Sequence, residues 1–162
     1  MDRPTGVFVM QIRPDFGRWE ELHSLIMRAF AYMDGVIDPP SSAHLLTAER
    51  LKEKARQEIG LLALRDGRIA GCVFTQERAD TLYVGKLAVE PDLQGQGIGR
   101  LLMQAAEDLA ASRGKGAVEL QTRIELDGNH RAFVRLGFDE TERTAHEGYD
   151  RPTSITMRKV LL

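Results

Sequence analysis

Three glycines within five positions, Gly95, Gly97 and Gly99, divide a run of strand character from a run of helix character. No other feature narrows the fold so far. Upstream, residues 82–89 read as a strand ending at Leu87, Ala88 and Val89. Downstream, Ile98, Leu101, Leu102, Ala105, Ala106, Leu109 and Ala110 hold the helical period across 97–113. Arg113 falls in the last turn, and Gly114 supplies a left-handed stop. Glycine in a helical turn costs on the order of 1 kcal/mol per residue against alanine. A cluster of them therefore signals torsions or close approaches that a Cβ would block. A strand-to-helix turn of this kind points several unbonded N–H groups outward at the positive end of the helix dipole. That is an anion site, with phosphate as its usual occupant. The alternative is a flexible connection that binds nothing.

The rest of the chain alternates between the two periods. Residues 7–12 predict a strand apolar on both faces, Val7 and Val9 against Phe8, Met10 and Ile12. Pro14 ends it, and Asp15 is placed as a helix cap. Leu22, Leu25, Ile26, Ala29, Phe30 and Met33 then form one apolar helical stripe. Residues 34–44 are loop by composition, and 47–58 form a shorter helix, polar apart from Leu51. Residues 60–64 and 69–76 flank Asp66-Gly67, a hairpin signal. After the long helix come a strand at 117–122, a short helix at 126–136 and a final strand at 153–160, leaving 139–152 as loop. With no repeat, low-complexity tract or linker, residues 1–162 are expected to make a single domain. Its class is α/β with a mixed sheet: helices on both faces, antiparallel pairing at the start and one β–α–β unit.

Charge removes several function classes. The 24 acidic and 22 basic side chains give a net charge of −2, which offers no basic field for nucleic acid or an anionic membrane. No apolar run approaches the ~18 residues of a membrane span, and the first residues lack a secretory pattern. The lone Cys72 has no internal disulfide partner, which fits a reducing compartment. A cytoplasmic location is the expectation. His23, His44, His130 and His146 show no ligand spacing with one another or with Cys72, so no metal is expected.

The identity of the phosphate ligand is narrower still. No Gly-Lys-Ser/Thr closes the glycine run, which excludes the P-loop pattern. The dinucleotide fingerprint fails at its third glycine, where Arg100 stands, and residues 90–94 separate the glycines from the strand. Glu119, about 20 residues on, is the one feature that favours a dinucleotide.

Leu87-Ala88-Val89-Glu90-Pro91 followed by Gln94-Gly95-Gln96-Gly97-Ile98-Gly99 resembles the acetyl-CoA motif of the GNAT superfamily of N-acetyltransferases. Gln94, Gly97 and Gly99 fall on that motif's defined positions. The likeness continues through Asn129 and Leu136-Gly137-Phe138 to Thr156–Lys159, and so covers nearly the whole chain. It implies a GNAT-like fold of about six to seven strands with helices on both faces. It also implies acetyl-CoA as acyl donor, with a primary amine as acceptor. The amides following Gln94, through Arg100, would hold the pyrophosphate. Leu87, Ala88 and Val89 would pair with the pantetheine arm as an added strand. A backbone N–H near Val89 would polarise the thioester carbonyl.

The sequence also departs from the family pattern. Where many members carry a tyrosine that protonates the leaving thiolate, Phe133 stands here, and a phenyl ring donates no proton. The usual asparagine position holds Leu126. Asn129 lies about one helical turn nearer Phe138, on a face from which it reaches the cofactor or else caps a turn. Candidate acid–base groups are Tyr149 and His146, ahead of the last strand, and Tyr83 and Glu119, on strands flanking the cleft. Structural or solvent-facing roles are the alternative for each. Tyr32, Asp38 and Ser42 lie in the 32–44 loop expected to shape the acceptor site, where Asp34 and Asp38 would attract an ammonium group. His44 beside Ser41 and Ser42 lacks a nucleophile-elbow sequence, which argues against a hydrolase. The expected acceptor is a small-molecule amine or an exposed protein amine. A non-catalytic acyl-CoA-binding module and a dinucleotide-binding protein remain as alternatives, and the apolar end Val160-Leu161-Leu162 fits a homodimer contact.

Overall fold

The computed structural model describes residues 6–162; residues 1–5, on which the expected lack of a secretory pattern rests, lie outside the described residues. The strands are β1 (Val7–Gln11), β2 (Ile59–Arg65), β3 (Arg68–Glu77), β4 (Thr81–Val89), β5 (Ala117–Arg123), β6 (Asp139–Thr144) and β7 (Ser154–Val160). The helices are α1 (Trp19–Phe30), α2 (Ala48–Gln57), α3 (Ile98–Ser112) and α4 (Asp127–Arg135). One seven-stranded sheet runs in the order β1-β2-β3-β4-β5-β7-β6. Every neighbouring pair is antiparallel except β4 and β5, which are joined through α3 as the expected β–α–β unit.

Two apolar layers sandwich the sheet. On one face Ile98, Leu102, Met103, Ala106 and Ala110 of α3 pack on Ala70, Val73, Leu82 and Val118. On the other, Leu22, Leu25, Ile26 and Ala29 of α1 and Leu51 of α2 cover Leu62, Cys72, Phe74 and Ala88. The helical stripes read from the sequence are the faces that these helices bury, except that Met33 falls in a 3-10 turn beyond the end of α1; each large side chain fully removed from water is worth roughly 1.5–3 kcal/mol. Burial pushes the Cys72 thiol up to about 12, so it stays protonated inside this second layer.

Three local expectations need correction. Residues 139–144 are a strand, β6, although Asp-Glu-Thr-Glu-Arg-Thr carries no apolar alternation. The ladder to β7 supplies its order, and its charged, exposed side chains suit a sheet edge. β1 is not buried on both faces, for Phe8 and Met10 are 71% and 40% exposed while Val7 is buried, as an edge strand allows. Asp15 does not cap α1. That helix opens at Trp19 behind Arg18, whose guanidinium reaches Glu21 and the Gly67 carbonyl instead. At the far end Leu161 packs on the core, while Val160 is 62% exposed.

Candidate functional site

The sheet opens at its middle. β4 and β5 share only the register pairs from Thr81–Ala117 to Tyr83–Glu119, although β4 runs on to Val89 and β5 to Arg123. Beyond Tyr83 the two strands diverge and leave a wedge between them. β4 also carries an extra residue against β3, since Cys72 faces Ala88 while Phe74 faces Gly85. The bulge falls at Lys86, whose φ of 53° lies in the left-handed region that a lysine seldom adopts. Glu90 N–H donates to the Ala70 carbonyl of β3 at 2.8 Å. Because backbone groups alternate sides along an extended strand, the Val89 N–H turns the other way, toward the wedge.

The glycine turn closes one end of this wedge. Gly95 and Gly97 have φ of 80° and 85°, which a side chain would strain. Gly97 is the residue preceding α3, and the first backbone bond of the helix runs from Leu101 N–H to the Gly97 carbonyl. The N–H groups of Ile98, Gly99 and Arg100 therefore precede the ladder and face outward. Gln94 does not point away; its side-chain amide donates to the Val89 carbonyl at 3.3 Å and ties turn to strand. Gln96 accepts from Arg65 at 2.6 Å. A second anchor lies behind the turn, where Arg28 of α1 donates twice to the Glu90 carboxylate at 2.9 and 2.8 Å. The Glu90 side chain is 8% exposed.

Two cavities meet in the wedge. One, about 390 Å³, is bounded by Leu87, Ala88, Val89, Gln94, Gly99 and Asn129. The other, about 320 Å³, lies deeper between the strands, bounded in part by Tyr83, Lys86, Thr122, Arg123, Phe133 and His146. Phe30, Tyr32, Leu87 and Asn129 line both. At this junction the Asn129 side-chain amide donates to the Tyr32 hydroxyl at 2.9 Å.

The candidate residues thus separate into groups. Ser42, also on the deeper cavity, accepts from the Lys86 ammonium at 2.8 Å. His146 meets the Thr153 hydroxyl, and burial, with the nearby Arg123 guanidinium, holds its pKa below the usual value. Tyr83 sits beneath the Arg78 guanidinium, 4.1 Å from the ring centre, and burial raises its phenol above the ordinary value. Tyr149, Asp38, Glu119 and Asp34 line neither cavity, and of the glycine turn only Gln94 and Gly99 line one. Tyr149 donates to Asp38 at 2.6 Å, a bond that raises its pKa, and Arg151 pairs with Asp38 at 3.0 Å. Glu119, the acid expected of a ribose site, stands between Arg78 at 3.7 Å and Arg158 at 3.5 Å. Asp34 is likewise taken, by His44 at 2.8 Å. Sequence reasoning passed over Lys86, Thr122 and Arg123. The one available signal was a lysine inside the otherwise apolar run of β4.

Among the described residues no group of three or more His, Cys, Asp or Glu side chains is arranged to hold a metal. No helix there is long and apolar enough to cross a membrane.

Residues 19–138 match the acetyltransferase (GNAT) family. The IAA acetyltransferase of Azospirillum brasilense is 31% identical over 130 residues, covering 78% of this chain and 82% of that protein. The mycothiol acetyltransferase of Kytococcus sedentarius is 31% identical over 150 residues, covering 86% of this chain but 47% of that protein. Matches to an uncharacterized N-acetyltransferase of Methanocaldococcus jannaschii and to N-alpha-acetyltransferase 30 of Schizosaccharomyces pombe span 29% and 61% of those proteins. In structure, the PaiA N-acetyltransferase of Thermoplasma acidophilum, in complex with coenzyme A, superposes with a TM-score of 0.79. It is 15% identical, with 96% of this chain and 99% of that one covered.

Proposed function

Because the chain belongs to the GNAT acetyltransferase family, whose general reaction is acetyl transfer to an amine, we propose that its wedge is the site of that transfer from acetyl-CoA. The observation that carries the reading is a continuous path. An unpaired strand edge at Leu87–Val89 leads from a glycine turn with free N–H groups into the deeper cavity.

The residues present fit the donor. The N–H groups of Ile98, Gly99 and Arg100 form a cradle for a pyrophosphate, and Gly95 and Gly97 let the backbone turn without side chains in the way. The free edge of β4 suits an amide-bearing arm laid alongside as an added strand. Asn129 and Phe133 bound its inner end. A net charge of −2 is no obstacle, because the cradle is backbone and dipole rather than a basic surface.

When bound, acetyl-CoA supplies a thioester whose carbonyl carbon accepts the amine. The C–N bond forms, the C–S bond breaks, the amine loses a proton and the thiolate gains one. The Val89 N–H faces the wedge and donates to the carbonyl oxygen as it gains negative charge. In other enzymes, removing one such donor costs about 3–4 kcal/mol. Phe133 cannot protonate the thiolate. Tyr32 is positioned to do so instead: its hydroxyl accepts from Asn129, which leaves its own proton free to donate, and it lines both cavities. Tyr149 and Glu119 are committed to other partners, and Tyr83 lines the deeper cavity beside Arg78.

Calorimetry with acetyl-CoA and NAD tests the donor. Binding of acetyl-CoA alone supports the reading, and binding of NAD alone sinks it. For the proton, Tyr32→Phe is expected to lower kcat at least tenfold with little change in acetyl-CoA affinity. Phe133→Tyr in the same chain is expected to restore much of the loss. An unchanged kcat in Tyr32→Phe would hand the proton to water. Phe133 is also what a non-catalytic acyl-CoA-binding module would show; acetyl-CoA binding with no CoA release from any amine would favour that second reading.

A further inference from the structure

The deeper cavity selects by charge, and opposite to the direction the loop acids suggested. Asp34 and Asp38 are each held by a basic partner and line neither cavity. The charged groups that do line the deeper cavity are all cationic: Lys54, Lys86 and Arg123, with His146 beside them. No aspartate or glutamate lines it.

These cations are not equally committed. Lys54 is paired with Glu58 at 2.9 Å. Lys86 and Arg123 have no carboxylate within ion-pair distance among the described residues, only neutral oxygens. Lys86 spends one of its three N–H donors on Ser42. Arg123 gives N–H bonds to the Pro39 and Pro40 carbonyls at 2.7 and 3.1 Å, which leaves three of its five for another partner. The nearest carboxylate to Arg123 in sequence, Glu125, lies outside the cavity lining and accepts from the Asp38 N–H. Partly buried positive charges without a counter-ion are costly in a folded protein. Burial draws the Lys86 and Arg123 pKa values below their ordinary ones, even though Glu58 opposes this at Lys86 and Glu125 and Asp38 oppose it at Arg123 from beyond ion-pair distance.

A second, independent sign comes from β5. Thr122 is only 6% exposed, lines the same cavity, and its hydroxyl has no hydrogen-bond partner among the described residues. Orphaned buried hydroxyls are uncommon in folded proteins and point to a missing polar occupant. A cavity of about 320 Å³ falls in the small-molecule range.

Resting on the acetyl-transfer reading, we infer that the acceptor is a small amine bearing its own carboxylate, held by Lys86 and Arg123 with the Thr122 hydroxyl as a neutral partner. The carboxylate replaces the missing counter-ion, and the amine is left to reach the thioester near Leu87. A diamine or polyamine, which brings further positive charge to the same walls, is rejected. No general preference for amines predicts that order.

The test uses the whole chain and chemically matched acceptors: β-alanine against β-alaninamide, and 4-aminobutyrate against 4-aminobutanamide, butylamine and 1,4-diaminobutane. Acetyl-CoA binding is first confirmed by calorimetry. CoA release gives kcat/KM, and melting of the CoA-loaded protein reports acceptor binding apart from chemistry. Expected are a kcat/KM at least tenfold higher, or a clearly larger melting shift, for each carboxylate over its amide, with the diamine last. Lys86→Gln and Arg123→Gln should each erase that preference by raising KM for the carboxylates alone. Lys86→Arg should retain it. If either Gln variant fails to fold, the other and the matched acceptors still decide. Equal or better use of the amides, butylamine or the diamine, or no difference by either readout, overturns the inference while acetyl-CoA binding still stands. A chain that binds no acetyl-CoA removes the reading beneath it as well.

Discussion

Gly99→Ala separates a glycine needed by the fold from one needed by a ligand. Gly99 lies within α3 and, unlike Gly95 and Gly97, does not have a positive φ. A Cβ built there would meet nothing closer than Val89 Cγ2 at 3.7 Å, an ordinary contact. Folding therefore does not require glycine at this position. Replacing it by alanine should stabilise the free protein by about 0.4–1 kcal/mol, mainly by restricting the unfolded chain. For a chain of this length that is roughly 1–4 °C in Tm. The added methyl, however, projects where the Gly99 N–H must approach a pyrophosphate, since Gly99 bounds the outer cavity. Losing one hydrogen bond to a charged group removes about 1.5–3 kcal/mol, or roughly a 10- to 150-fold weaker Kd for acetyl-CoA. Differential scanning calorimetry without ligand and titration calorimetry with acetyl-CoA give the two halves. A lowered Tm in the free protein would mean that the fold itself needs this glycine. An unchanged Kd would mean that no phosphate comes close to it, and either result refutes the reasoning.

Other perturbations have equally definite signs. At Gly71 in β3 a Cβ would lie 2.6 Å from the Ala88 carbonyl oxygen and 3.1 Å from Leu102 Cδ1. Gly71→Ala should therefore cost about 1–3 kcal/mol as overpacking and lower Tm, whereas Gly85→Ala, with Tyr83 no nearer than 3.7 Å, should leave Tm close to wild type. Arg28→Met strips two donors from the nearly buried Glu90 carboxylate. The expected loss is about 1–3 kcal/mol, read by urea denaturation, because Arg68 at 3.9 Å compensates only in part. An unchanged midpoint would show that Glu90 does not depend on the pair. The folded protein holds the His146 pKa below its ordinary 6.5, so below that pH the unfolded chain binds a proton that the folded one resists. Stability then falls as pH drops below about 6.5, and His146→Gln should flatten that slope in Tm measured from pH 7.5 to 5. An identical slope in the variant would assign it to other groups.

The parts of this fold that were legible in the sequence are those that local periodicity and turn chemistry encode. The stripes of α1 and α3, the Asp66-Gly67 hairpin and the glycine turn each show in neighbouring residues and needed nothing from the rest of the chain. β6 was invisible because its order comes from the ladder to β7, not from its own Asp-Glu-Thr-Glu-Arg-Thr side chains. The divergence of β4 from β5 and the bulge at Lys86 were invisible for a similar reason: both depend on register, and a strand reads the same whether its neighbour pairs along three residues or nine. The same limit governs charge. Net charge is a sum over the chain and says nothing of which charges have found partners. Asp34 is hydrogen-bonded to His44 ten residues on, and Asp38 is paired with Arg151 over a hundred residues on; only folding brings Asp38 and Arg151 together. Once such acids are committed, the proposed acceptor preference rests on the cavity-lining charges that have no carboxylate within ion-pair distance. In this chain those are Lys86 and Arg123 on the wall of the deeper cavity. On the proposed readings, a net acidic protein would thus hold a pyrophosphate on backbone amides and a carboxylate on two half-buried cations, with no basic surface for either.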